Sequence, residues 1–130
     1  MVAFKSLIVL AFAAVTLGAP NVRRQLEEGA DCTYVVTPSA NADGINLSSE
    51  VNFMIGDEVA IETNGPIFNG GLKASVNEDG SVTVSGKIAA DNLKADELKA
   101  LLTSWPGNVT LHGLPQNGNL LWTVNSVTCQ

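Results

Sequence analysis

Few residues in this chain are of a type that does chemistry. The one histidine, His112, sits between Leu111 and Gly113. A lone imidazole cannot build a histidine-rich zinc site. As a general base it would need a carboxylate partner, and its setting reads as a partly exposed strand position. Carboxylates are more plentiful, and adjacent pairs occur at Asp57-Glu58, Glu78-Asp79 and Asp96-Glu97. Two carboxylates are enough for acid-dependent glycoside hydrolysis. Neighbours along a helix or strand point apart, however. Glu78-Asp79 suits a turn, and Asp96-Glu97 suits the positive end of a helix dipole. No nucleophile elbow, phosphate-binding glycine loop, HExxH zinc motif or acidic calcium loop is present. The expectation is a non-enzymatic protein with no catalytic residue, no cofactor and no metal.

Stacking residues come next. Beyond residue 24 the aromatics are Tyr34, Phe53, Phe68, Trp105 and Trp122. Trp105 falls on an apolar helical stripe and Trp122 follows Leu120-Leu121, so both read as core. Phe68, in Pro66-Ile67-Phe68-Asn69-Gly70-Gly71, is the most loop-like and the first candidate contact residue.

The elements that must carry these residues follow from punctuation and periodicity. Strands are expected at 33–37, 50–55, 58–63, 72–76, 82–85, 109–112 and 120–124, the last extending towards Cys129. Gly56-Asp57, Asn64-Gly65-Pro66 and Asn69-Gly70-Gly71 read as turns. Asn77-Glu78-Asp79-Gly80, between alternating arms, is the strongest hairpin signal. Leu98, Leu101, Leu102 and Trp105 recur at i, i+3, i+4 and i+7, one apolar stripe. The spacing predicts one amphipathic helix near residues 94–105, with Lys94 or Asp91 at its start, Glu97 in its first turn and Pro106-Gly107 after its end. The expected class is α+β and β-rich: a mainly antiparallel sheet of about seven strands with that helix on one face. A strand–helix–strand unit over 81–113 leaves room for one parallel pair.

The N-terminal residues set the compartment. Met1–Lys5 is a short basic lead, and 7–17 (LIVLAFAAVTL) is an apolar run too short to span a bilayer. Residues 1–18 read as a signal peptide. Residues 19–24 read as a pro-segment ending in Arg23-Arg24, which resembles the site cut by kexin-type proteases. A mature chain from Gln25 is a single domain of residues 25–130. It holds four lysines, thirteen acids and no arginine, a net charge of −9. Binding nucleic acid needs several basic contacts to phosphate, and anionic membranes attract basic segments, so neither is an expected partner of the mature form. In an oxidising compartment Cys32 and Cys129 should pair and staple the two ends of the domain. Closing so long a loop is worth about 4.7 kcal/mol at most in the chain-entropy model. Asn46-Leu47-Ser48 and Asn108-Val109-Thr110 are N-glycosylation sequons.

The Gly18-Ala19-Pro20 exit, the Arg23-Arg24 pair and a short cysteine-poor domain resemble the small secreted proteins of filamentous fungi. The resemblance is specific over residues 1–25 and carries no functional residue over. Extracellular action by binding a polysaccharide or a protein, as an effector, a signal or a cell-wall component, is expected instead from the lack of a catalytic constellation in a secreted, acidic, disulfide-closed domain. Two other functions stay open. One is inhibition of an extracellular protease through the Asn64–Gly71 loop. The other is a small acid-dependent hydrolase.

Overall fold

The computed structural model describes residues 29–130. The expected signal peptide, the expected pro-segment with Arg23-Arg24 and the expected start at Gln25 lie outside them.

The domain is α+β and strand-rich. β1 (Ala30–Pro38) leads into helix α1 (Leu47–Thr63), then the short β2 (Ile67–Asn69), β3 (Lys73–Val76) and the long β4 (Val82–Ala90). Helix α2 (Ala95–Thr103), β5 (Thr110–His112), a 3₁₀ turn at Pro115–Asn117 and β6 (Leu121–Cys129) follow. The six strands form one sheet in the order β2-β4-β1-β6-β5, with β3 following β2 along the same edge of β4. Every pairing is antiparallel, so the 81–113 unit makes no parallel pair.

Both helices cover one sheet face. On β1, Ala30, Cys32, Tyr34 and Val36 are buried, whereas their odd-numbered neighbours are half-buried or exposed. The same period runs through Val82 and Val84 on β4 and through Trp122 and Val124 on β6. It is the signature of a sheet with one dry and one wet face. Between the helices and the dry face lie Val51, Met54, Ile55 and Val59 of α1, Leu98 and Leu102 of α2, and Trp105 just after it. Cys32 and Cys129 oppose each other across β1 and β6, and their disulfide joins the first strand to the last.

α2 forms where its stripe predicts it. Lys94 is the N-cap, and its amide donates to the Glu97 carboxylate at 2.9 Å, half of a capping box. The expected strands at 50–55 and 58–63 are wrong: both belong to α1, and the Gly56-Asp57 turn lies inside it. There are therefore six strands and two helices among the described residues, not seven and one. Leu47, Val51, Met54, Ile55 and Val59 recur at helical spacing. The Asn46 carboxamide caps the start by accepting from the Ser49 amide at 3.1 Å. Gly56 is buried where α1 crosses β2. A Cβ there would stand 3.4 Å from Ile67 Cδ1, at van der Waals contact.

Candidate binding surfaces

The sequence-level candidates end up far apart. Trp105 and Trp122 are fully buried, as expected of core residues. Phe68 is not on a loop. It lies in β2, half-buried and opposite Ala89 of β4, so the 64–71 segment is held in the sheet rather than projecting from it. His112 is exposed on β5, across from Leu121. Asn46 and Asn108 are both exposed, each beside a helix end. Asn46 caps α1, and Asn108 Nδ2 donates to the Ser104 carbonyl after α2.

Three carboxylates are committed to structure. Asp79 accepts from the amide and the hydroxyl of Ser81 at 2.9 and 2.6 Å, which tightens the β3–β4 turn and holds the carboxyl below its usual range. Glu97 caps α2. Sequence reading missed Glu50, the one fully buried carboxylate among the described residues. Its Oε1 accepts from the Leu114 amide at 3.0 Å and Asn117 Nδ2 at 2.8 Å, and its Oε2 accepts from Trp122 Nε1 at 2.8 Å. All three partners are neutral donors. Gly113 leaves the space it occupies, since a Cβ there would collide with the carboxylate. A few residues on, Asn52 plays the matching part at the other sheet edge. Its side chain donates to the Leu72 carbonyl at 3.0 Å and accepts from the Leu72 amide at 2.8 Å, as a neighbouring strand would.

One carboxyl pair is less settled. Glu58 and Glu62 are hydrogen-bonded one turn apart on α1. Burial first, then that bond and the charges of Glu62 and Asp57, push Glu58 up to about 7. Glu62 also accepts from Trp105 Nε1 at 3.1 Å. Neither residue lines either of the two clefts described next. The phenol of Tyr34, buried against Trp105, finds no hydrogen-bond partner among the described residues, and burial holds it well above its ordinary pKa.

Two clefts and one face remain as binding surfaces. The first cleft, of about 300 Å³, lies between the loop after β1, the start of α1 and the β3–β4 hairpin. Its walls include Pro38, Leu47, Val76 and Val82, with Asp43 and Asp79 as its charged residues. The second, of about 320 Å³, is a polar hollow over Ala89–Lys94 and Glu97. The open face of the sheet is the third. Register places Thr110, Thr123 and Thr37 in one row, then Ser126, Val35, Thr83 and Ser75, then Thr128, Thr33, Ser85 and Lys73. Rows of this kind repeat about every 4.8 Å across strands and about 6.7 Å along them. Thr33, Thr123 and Thr128 make no side-chain hydrogen bond to another described residue. The strands carry a single acid, Asp31, at one corner opposite Lys87. In a chain with thirteen acids, the open face is nearly free of negative charge.

Compared with known proteins, the chain matches no family model, no curated protein and no solved structure. Among the described residues no group of three or more metal-ligating side chains comes together, and no helix is long and apolar enough to cross a membrane.

Proposed function

We propose that the protein acts outside the cell by binding rather than by catalysis, and that its partner is an uncharged wall polysaccharide met by the open sheet face. The observation that carries this reading is the composition of that face: rows of threonine and serine hydroxyls, almost no carboxylate, on an otherwise acidic domain. Exposed neutral hydrogen bonds each gain little against water. A rigid polymer surface that engages many at once adds them through effective concentration. The effector and signal readings share the binding premise and differ in the partner. Protease inhibition through residues 64–71 loses support, because the middle of that segment is a paired strand. The hydrolase reading keeps one specific observation, the hydrogen-bonded Glu58–Glu62 pair with Glu58 raised to about 7.

The test uses oxidised protein starting at Gln25, mixed with washed cell walls and with insoluble cellulose, chitin and β-glucan. Selective loss from the supernatant to one polymer is expected, and Thr33→Glu with Thr123→Glu should abolish it. Retention in the supernatant with every polymer would overturn the proposal. Release of soluble sugar that stops in Glu58→Gln would replace it with the hydrolase.

A further inference from the structure

We propose that the cleft beside the β3–β4 hairpin is a protein-docking site that takes one long basic side chain, arginine or lysine, from a partner protein. The proposal is independent of the polysaccharide reading, which uses the open sheet face.

Size is the first argument. About 300 Å³ is room for a single long side chain and too little for a packed helix or strand. Chemistry is the second. Pro38, Leu47, Val76 and Val82 give an apolar wall, against which a four-atom alkyl stem packs while its charged head stays hydrated. The charged groups of the lining are Asp43 and Asp79, both carboxylates, and no lysine lies among the lining residues. Ser81 donates twice to Asp79 Oδ1, which favours the ionised form and leaves the other oxygen for an incoming cation. A guanidinium or ammonium there gains charge-assisted hydrogen bonds that a neutral side chain cannot make. The third argument is the rim. Val76 is 67% exposed, the most exposed of the large apolar residues among those described, and a docked chain would cover it.

The chain's own arginines are not the occupant. β1 begins beside Ile88 and reaches the cleft only at Thr37 and Pro38, roughly 26 Å away along an extended strand. Four residues lie between Arg24 and Gly29, a Cα span of at most about 18 Å, and both arginines precede the expected mature start at Gln25. None of the lysines of the described residues, Lys73, Lys87, Lys94 and Lys99, lines the cleft, so the basic group comes from another molecule.

The experiment titrates ¹⁵N-labelled, oxidised mature protein with the peptide acetyl-Val-Arg-Val-amide. The control is its citrulline counterpart, which keeps the shape and removes the charge. Both are taken to about 10 mM, where a contact at the weak limit of specific binding is still visible. The arginine peptide should give saturable amide shifts confined to residues 37–47 and 76–82. Citrulline should bind about threefold more weakly, as expected for a solvent-facing ion pair. Asp43→Asn should remove that advantage and leave citrulline binding unchanged. This variant is safe for the fold, because the exposed Asp43 carboxylate makes no hydrogen bond to a described residue. Equal binding of the two peptides, or no saturable shift in those segments, would overturn the proposal. Loss of polymer binding without loss of these shifts would sink only the polysaccharide reading.

Discussion

The two helices lie on the same sheet face and are held there by different physics. α2 is held by an apolar stripe and a local cap. Leu98, Leu102 and the following Trp105 enter the core, and Glu97 satisfies the first amide. α1 also buries apolar residues, but two polar side chains grip the sheet at opposite edges. Glu50 binds the β5–β6 connection and Trp122, and Asn52 binds the backbone of Leu72. Apolar packing fixes how deeply a helix sits and is tolerant of small slides. Buried hydrogen bonds are directional, and unmade ones are costly. They fix where along its axis α1 lies, and so how the start of α1 meets the hairpin to shape the cleft.

The contrast is broken most readily at Glu50. Glu50→Ala leaves Trp122 Nε1, the Leu114 amide and Asn117 without their acceptor and opens a void, so a loss of about 4 kcal/mol is expected. Urea midpoints measure it. A smaller loss than that of Leu102→Ala would mean that polar clamps are not what fixes α1. Leu102→Ala should itself cost about 3 kcal/mol through lost burial and a cavity, read from the same curves. Asn46→Ala, in unglycosylated protein, removes the α1 cap and should cost about 1 kcal/mol, seen as a few degrees in thermal melting.

The smallest effect sharpens the comparison at the far end of α1. Glu58 is raised to about 7 in the folded state, so its protonated form is the one the fold favours. The stability it contributes is complete below the unfolded carboxyl value and is lost as pH rises through about 7. Glu58→Gln should therefore match the wild type near pH 4 and melt higher near pH 8. Because Glu58 is only half-buried, solvent screening keeps the gain under about 1 kcal/mol. A variant that melts lower at pH 8 would contradict the raised Glu58.

Legibility differed between the helices for a physical reason. The α2 stripe is read directly because its apolar residues point inward and its charged ones outward. In α1 the inward set includes Glu50, while Phe53 and Ile61 stay exposed at 38% and 64%. The stripe is blurred, and Val59-Ala60-Ile61 passes for strand alternation. A legible signal was present in Asn46, a good cap, followed by apolar residues at 47, 51, 54, 55 and 59. Phe68 misled in the opposite sense. Its turn-rich neighbours suggest a loop, but pairing with β4 needs only three residues.

The sequence by itself determined the strand-rich α+β class, the β3–β4 hairpin, α2 and the pairing of the only two cysteines, because each rests on local periodicity, turn chemistry or a lack of alternatives. Tertiary structure alone decided that residues 47–63 are helical, that Glu50 is buried among neutral donors, and that hydroxyls from five strands align in rows. Those outcomes depend on partners brought from as far as Thr128, which lies opposite Thr33. No local pattern can anticipate a hydrogen bond whose donor is brought up only when the sheet closes around it.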